Sequence, residues 1–175
     1  MSRDARVYLE DIAEAAGVSK GMLTYYFASK DELITATIAD HLERQEQLLI
    51  AVAADRTTPV RERLERMLEL ALPSGERAVE ELRFIVEVWS YAKTRPDVLG
   101  LVQLAYKRFR KHGQRLLEMG AREGYVTAKD HAWVNIAINA LLDGLSFQLA
   151  VDNELDATDI RRRVLRIIDV MVSSE

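Results

Sequence analysis

Apolar residues recur every three or four positions along almost the whole chain, which is the spacing of one face of an α-helix. The pattern begins at Ile12 and Ala16, and a second short helix is expected over Lys20–Phe27. From Ser29 the same spacing continues and predicts a third helix that reaches about Ala53. No strand-like alternation of apolar and polar residues appears, so the predicted fold class is all-α.

Five further helices are expected after a polar break that ends at Pro59. Pro59 suits the first position of a helix, because an N–H at that position would have no partner. The helix at 80–93 has apolar residues nearly all round, which predicts a buried central helix. Gly124 is expected to close the longest helix, and Thr127 to cap the next one. The expected helices are Pro59–Leu72, Glu80–Lys93, Val98–Glu123, Ala132–Val151 and a last one that starts at Asp156 or Thr158.

The first two helices are short and are joined by a tight turn. Gly17 provides the permissive backbone that this turn needs, and Ser19 can cap the second helix with its side-chain oxygen. Ser29, with Glu32 three residues later, has the pattern of a capping box at the start of the third helix. Two short helices joined in this way are typical of a helix-turn-helix, whose second helix enters the major groove of DNA.

The segment IAEAAGVSKGMLTYYFASKDEL resembles the signature of the tetracycline-repressor (TetR) family of bacterial transcription regulators. Thr24 stands where that family usually has Tyr. The resemblance implies a helix-turn-helix head at residues 1–45 and a helical domain at residues 46–175 that binds an effector and dimerises. The matching positions are Ile12, Ala13, Ala16, Gly17, Val18, Ser19, Gly21, Leu23, Tyr26, Phe27, Ser29, Lys30 and Leu33.

The segment before the motif departs from the family. A helix usually precedes the motif and packs across it, whereas Met1–Tyr8 is too short for that helix and lacks its apolar spacing. We therefore expect a head without the usual first helix. Without that helix, the apolar inner side of the head would be exposed to water, which would destabilise the head. DNA binding by this chain is therefore expected to be weak. A truncated sequence and a genuine loss of the helix both remain open.

The chemistry of the motif suits DNA even though the head is acidic overall. Residues 1–45 carry five Lys and Arg against eight Asp and Glu, but between Ser19 and Lys30 there are two lysines and no acid. Hydroxyl groups can bind phosphate oxygens, and Met22 can meet a thymine methyl group. Tyr25 and Tyr26 could instead fill a small core. The predicted partner is a palindromic operator in double-stranded DNA. The predicted DNA-contacting residues are Ser19, Lys20, Gly21, Met22, Thr24, Tyr25, Tyr26 and Lys30.

The stretch at 80–150 resembles, more loosely, the choline-responsive (BetI-like) branch of the same family. The resemblance implies a small-molecule effector and no cofactor. An effector needs an apolar cavity with a few polar groups, although most aromatic residues at helical spacing simply fill a core. The candidate pocket residues are Trp89, Tyr106, Trp133, Phe109 and Ile85.

A basic run, YKRFRKHGQR, occupies residues 106–115. It contains five Lys and Arg, two aromatic residues and no acid. Charge runs on a helix are usually solvated faces, and we favour that interpretation here. An anionic ligand or a partner surface is the alternative.

The last two helices are expected to form a homodimer interface. The terminal helix has a continuous apolar stripe, and the helix before it is apolar on more than one face, which suggests a surface left for a partner. In the TetR family, the corresponding helices pair with their twofold mates in a four-helix bundle. The predicted interface residues are Leu141, Leu145, Leu149, Ile160, Val164, Ile167, Ile168 and Met171.

Composition narrows the range of functions. The 175 residues carry a net charge of −4, which argues against a protein that coats nucleic acid without specificity. The chain has no cysteine, as expected in a reducing cytoplasm, and its apolar runs look too short to span a membrane. Three well-separated histidines predict no metal site, and no catalytic motif indicates an enzyme. The alternative function is a helical dimer that binds a small molecule or a protein partner without binding DNA.

Overall fold

The computed structural model describes residues 9–75 and 78–173, and all regular structure in these ranges is helical. This confirms the predicted all-α fold class. Every helix expected from the sequence is present, with bounds shifted by at most a few residues. The helices are α1 (Leu9–Ala15), α2 (Lys20–Tyr26), α3 (Lys30–Ala54), α4 (Val60–Ala71), α5 (Ala78–Ala92), α6 (Pro96–Arg122), α7 (His131–Val151) and α8 (Ala157–Ser173).

The chain divides into two compact units, Met1–His41 and Leu42–Glu175. We call them the head and the body. The head contains α1, α2 and the first part of α3, and the body contains the rest of α3 and all later helices. The functional division expected at residue 45 stays a prediction.

The core of the body is assembled from five helices and the loop between α6 and α7. Helix α7 packs against α5 and α6, while α4 packs against α6 and α8. Each large apolar side chain buried in this way contributes about 1.5–3 kcal/mol relative to exposure. The buried core residues are Val60, Leu64, Leu68, Leu72, Leu82, Leu116, Leu117, Val126, Ala128, Val134, Ile138, Leu149, Ala150, Val164, Leu165, Ile168 and Val172.

An ion pair between buried Arg63 and exposed Glu123 connects three helix ends of the body. Arg63 is 1% exposed and donates to Glu123 Oε1 at 2.9 Å and to the carbonyl oxygen of Ala53 at 3.2 Å. Glu123 Oε2 accepts the backbone N–H of Val60 at 2.8 Å. The end of α3, the start of α4 and the end of α6 therefore share one polar cluster, which supplies partners to backbone groups that helix ends leave unpaired.

Three local predictions require correction. Pro59 lies before α4 as its N-cap residue and not inside the helix. Thr127 does not cap α7: Asp130 does so by accepting the N–H of Trp133 at 2.9 Å, while the N–H of Thr127 donates to the carbonyl of Val172. Helix α5 is also not wholly buried, because it packs on α6 and α7 from one side and leaves Trp89 44% exposed.

Helix α7 differs from the expectation that every apolar run of the chain is too short to span a membrane. By length and composition alone it could cross a bilayer, with a mean hydropathy of 1.4 over its most apolar window. The core helix of a water-soluble protein meets the same criterion, and Val134, Ile138 and Leu149 of α7 do belong to the core of the body.

Candidate functional site

The turn between α1 and α2 has the local geometry of a helix-turn-helix. Gly17 adopts φ of 68°, a left-handed conformation that side chains with a Cβ rarely adopt. Ser19 follows with an extended backbone, and its Oγ accepts the N–H of Met22 at 3.1 Å. The predicted turn and the predicted N-cap are therefore both present, and they set where α2 begins.

The exposed side of α2 carries aromatic and apolar side chains. Tyr25 is 82% exposed, Tyr26 is 67% exposed and Met22 is 51% exposed. The two tyrosine rings meet edge to face with centroids 5.0 Å apart. Since neither ring is buried, the structure does not favour the alternative that they fill a core. Their hydroxyl groups are available to a ligand such as a phosphate.

Two of the predicted DNA-contacting residues make contacts inside the head. The ammonium group of Lys20 pairs with Glu10 of α1, which lowers the pKa of that carboxyl group. The hydroxyl of Thr24 donates back to the carbonyls of Lys20 at 3.1 Å and Gly21 at 3.2 Å. An exposed ion pair contributes little to stability, so Lys20 can leave Glu10 at little cost.

The start of α3 is held by reciprocal hydrogen bonds. Ser29 Oγ accepts the N–H of Glu32 at 3.1 Å, and the Glu32 carboxylate accepts the N–H of Ala28 at 2.6 Å. The predicted capping box is therefore formed, with its carboxylate on the residue before the cap rather than on Ser29 itself. Lys30 is the first residue of α3 and is half-buried rather than fully outward-facing.

The inner side of the head is only partly covered. In the described part of the head, only Ala13 and Ile38 are buried, at 3% and 2% exposure. Leu23 and Phe27 are half-buried, and Ala16 is exposed. The expectation that the usual first helix is absent concerns Met1–Tyr8, which lie outside the described residues.

A groove of about 450 Å³ lies between α6 and α7 of the body. Two of its lining residues are hydrogen-bonded to each other: the Tyr106 hydroxyl donates to Asp143 Oδ1 at 2.8 Å. The lining includes one carboxylate, one guanidinium, one amide and one phenol, besides two apolar residues. The lining residues are Tyr106, Arg110, Ile136, Asn139, Ala140 and Asp143.

An aromatic cluster adjoins the groove. The Trp89 ring lies 5.3 Å from the Tyr106 ring at an interplanar angle of 65°, and the Phe109 ring lies 6.3 Å from Tyr106 at 52°. The structure thus brings together three of the five candidate pocket residues. Of these three, only Tyr106 lines the groove, while Trp89 and Phe109 pack beside it. Ile85 is half-buried one turn before Trp89 and does not line the groove either. Helical spacing alone could not show which of these rings would meet.

Trp133 is not part of this cluster. It is 64% exposed and does not line the groove. The side of α7 that faces the core passes instead through Val134 and Asn135, which are 7% and 5% exposed. Trp133 is therefore not a wall of this groove, and its part in an effector pocket stays a prediction.

Partial burial in the groove shifts the pKa values of two of its side chains. It raises the pKa of Asp143 above its usual value of 3.8, although the hydrogen bond from Tyr106 acts in the opposite direction. The pKa of Tyr106 is also raised, first by burial and then by its hydrogen bond to Asp143. Tyr106 is thus a neutral donor, and the Asp143 carboxylate would be stabilised by a cation placed beside it.

Asp143, Arg110 and Asn139 line the groove but are not among the residues predicted for the pocket. Asp143 is the only Asp or Glu in the 21 residues of α7, and this isolated acid could have marked it as a candidate site residue. An acid in an otherwise apolar helix usually has a polar partner or a function. The spacing of residues within one helix could not predict that Asp143 pairs with Tyr106 on another helix.

A buried amide joins the two helices that form the groove. Asn135 Nδ2 donates to the carbonyl of Arg110 at 2.6 Å, and Asn139 Nδ2 donates to Asn135 Oδ1 at 3.0 Å. Gly113 makes the close approach possible, since a Cβ there would lie 2.4 Å from Asn135 Oδ1. This network fixes the backbone that carries Arg110 relative to the α7 side of the groove.

The predicted dimer interface requires a correction of its residues. Leu149, Val164 and Ile168 are 4%, 2% and 1% exposed, because they pack in the core of their own chain. Ile167, by contrast, is 46% exposed. The other predicted members, Leu141, Leu145, Ile160 and Met171, are half-buried against the core. The exposed large apolar residues of α7 and α8 are Trp133, Ile136, Phe147, Val151, Ile167 and Val170.

Two family profiles match this chain. Residues 5–37 match the bacterial regulatory proteins of the tetR family, and residues 59–173 match the C-terminal region of BetI-type transcriptional repressors. The first match covers the helix-turn-helix, and the second covers the helices that form the groove.

Curated relatives agree with both profiles. The HTH-type transcriptional regulator BetI of Rhizobium meliloti (strain 1021) is 28% identical over 139 residues, which cover 79% of this chain and 66% of that protein. BetI of Brucella anthropi is 27% identical over 146 residues, which cover 83% of this chain and 72% of that protein. The chain thus spans just under two thirds of the length of the Rhizobium meliloti protein.

Solved structures share the fold. A putative transcriptional regulator from Saccharomonospora viridis in complex with choline superposes with a TM-score of 0.84 at 24% identity, covering 97% of this chain and 88% of that one. A TetR transcription regulator from Haloarcula marismortui gives a TM-score of 0.77 at 21% identity, covering 96% and 86%.

Proposed function

The chain belongs to the tetR family of bacterial regulatory proteins, with a C-terminal region of the BetI type, and we propose that it is a homodimeric repressor released from its operator by a small alkylammonium compound. The curated relatives are DNA-binding transcription regulators and not enzymes, as the sequence analysis expected of this chain. The alternative of a helical dimer without DNA binding is not favoured. A regulator of this kind would act in the cytoplasm.

The proposed operator contact is the exposed surface of α2 and the start of α3. Tyr25, Tyr26 and Lys30 would bind phosphate oxygens, and Met22 would lie near the bases. Lys20 would exchange Glu10 for a phosphate. Two such heads in a twofold dimer match a palindromic site with half-sites about 34 Å apart.

The single observation that carries the effector proposal is the Asp143 carboxylate at the hydroxyl of Tyr106, an aromatic residue of the groove whose ring packs against Trp89. A carboxylate in a groove with aromatic faces suits an alkylammonium group, because both the charge and the ring quadrupoles attract it. Choline, which the Saccharomonospora viridis regulator binds, has such a group. Exposed apolar residues would complete the dimer, and Ile136 belongs both to them and to the groove.

Effector and operator would be coupled through a population shift. Ligand in the groove contacts α7, and the same helix presents apolar residues to the proposed partner subunit. A ligand that binds one dimer arrangement better than another lowers operator affinity by its differential binding energy, typically about 1–3 kcal/mol.

Calorimetric titration with choline tests the groove. Asp143→Asn should weaken binding about 10- to 100-fold, since a contact to a charged group is worth about 1.5–3 kcal/mol. Glu65→Gln, which removes an exposed charge on α4, is the matched control and should change nothing. Equal binding by Asp143→Asn and the unchanged protein would contradict the proposed site.

Sedimentation at micromolar concentration tests the dimer. The unchanged protein should sediment as a dimer, and Ile167→Asp with Val170→Asp should yield monomers. Each side chain would otherwise bury an apolar surface worth about 1.5–3 kcal/mol, and the substitution places a charge there. A monodisperse monomer of the unchanged protein would contradict the proposal.

A further inference from the structure

We propose that the ligand of the groove is a zwitterion, with its alkylammonium end at Asp143 and a carboxylate at its other end held by Arg110. This inference rests on the proposed effector site and specifies its ligand. It differs from a simple cation such as choline, whose hydroxyl end carries no charge. The observation behind it is that one groove holds two opposite charges that do not neutralise each other.

Arg110 belongs to the groove by position. It lies one helical turn after Tyr106 on α6, so the two side chains occupy the same face of that helix. Its positive charge acts on the Tyr106 hydroxyl and partly offsets the rise in the pKa of that group. Arg110 is thus an exposed side chain in the lining of the same groove as Tyr106 and Asp143.

The two charges are nevertheless kept apart. Within the described ranges, the Arg110 guanidinium forms no ion pair or hydrogen bond with another side chain. Asp143 takes its hydrogen bond from Tyr106, and its pKa is raised, whereas a guanidinium in direct contact would lower it. The groove therefore has one positive and one negative pole, each without an ionic partner from this part of the chain.

The backbone beneath the positive pole is held in place. Asn135 is 5% exposed and binds the carbonyl of Arg110, and Gly113 lets α7 approach closely enough for that bond. Asn139 continues the network into the groove lining. The backbone positions that carry the two poles are thus set by packed helices, which limits the lengths of ligand that can reach both.

Ligand chemistry follows from this arrangement. An alkylammonium group fits Asp143 and the Tyr106 ring, and a carboxylate fits the two-pronged guanidinium of Arg110. A simple cation would leave Arg110 without a partner and would add a second positive charge to the groove. A dianion would be repelled by the Asp143 carboxylate. A volume of about 450 Å³ is within the range of small-molecule sites, about 300–1,000 Å³, and admits an amino-acid-sized ligand.

The test compares ligands that share a trimethylammonium group. Choline ends in a hydroxyl, while glycine betaine and its homologues with longer methylene chains end in a carboxylate. Calorimetric titrations would use the unchanged protein, Arg110→Gln, Asp143→Asn and Lys111→Gln. Lys111 is the matched control, because it is the exposed cation next to Arg110 and does not line the groove.

We expect at least one of the carboxylates to bind at least tenfold more tightly than choline. Arg110→Gln should abolish this preference without weakening choline, Lys111→Gln should keep the preference, and Asp143→Asn should weaken every ligand. Choline binding more tightly than all the carboxylates, or an equal loss for all ligands in Arg110→Gln, would overturn the zwitterion and leave the proposed effector site standing. Binding of no ligand at millimolar concentration would overturn both.

Discussion

The head and the body of this protein hold the side chains proposed to bind DNA and effector in opposite ways. In the described part of the head, only Ala13 and Ile38 are buried, and the residues proposed to bind DNA lie on the surface of α2 and at the start of α3. In the body, Tyr106 and Asp143 meet across two helices that a large core holds in register. A surface helix can lose its function without losing its fold, whereas the groove depends on the packing beneath it.

The largest expected effect is in the core of the body. Ile168→Ala should lower the free energy of unfolding by about 2–5 kcal/mol, because it leaves a cavity where the side chain is 1% exposed. Tyr25→Ala on the head should change it by less than about 0.5 kcal/mol, since that ring is exposed. Denaturant unfolding followed by circular dichroism measures both. Similar losses of unfolding free energy in the two variants would contradict the claim that the residues proposed to bind DNA lie on the surface while the body depends on its core.

The next effect concerns DNA and should be confined to the head. Lys30→Gln should reduce the slope of log affinity against log salt by about one, because one phosphate contact is lost. Lys111→Gln, in the basic run of α6, should leave the slope unchanged. Fluorescence anisotropy with labelled duplex over a range of salt concentrations gives both slopes. A smaller slope for Lys111→Gln would instead place DNA on the body.

A smaller effect is expected from pH on the groove. The pKa of Asp143 is raised above 3.8, so in the free protein this carboxylate takes up its proton at a higher pH than an ordinary Asp. Choline affinity should therefore fall on acidification before ordinary carboxylates are protonated, since the cation binds the ionised form. Asp143→Asn should remove this pH dependence. An affinity for choline that is independent of pH down to 3.8 would contradict the role of Asp143.

The smallest effect is expected where α3 meets α6 inside the body. Glu46 accepts hydrogen bonds from Arg108 at 2.9 Å and from His112 at 3.2 Å. Burial opposes ionisation of Glu46, but the bonds from His112 and Arg108 outweigh it and lower its pKa below 4.5. A lowered pKa contributes stability above 4.5 that disappears as the pH falls towards the native value.

Glu46→Gln should therefore cost about 1 kcal/mol at neutral pH. This deficit should shrink as the pH falls below 4.5, while Glu65→Gln should show no deficit. Urea unfolding at several pH values measures the difference. A deficit of the same size at neutral and acidic pH would mean that packing, and not the ionised carboxylate, explains the loss.

The same contrast explains what the sequence could predict. The turn at Gly17, the caps at Ser19 and Ser29 and the exposed α2 depend on neighbours a few residues away, so their patterns were sufficient. The groove depends on a contact between Tyr106 and Asp143, which are 37 residues apart. Periodicity recognised the apolar stripe of α8 but could not tell that Ile168 faces the core and Ile167 faces outward.

The most direct test of the account is operator binding with and without an effector. Duplexes selected from a random pool by the unchanged protein would be titrated by anisotropy, alone and with saturating choline or a trimethylammonium carboxylate. We predict a twofold-symmetric site whose affinity falls about 5- to 150-fold with effector, the range of a 1–3 kcal/mol coupling, and an Asp143→Asn protein that binds the same site but does not respond. Selection of no sequence, or equal affinity with and without effector, would contradict a ligand-responsive regulator.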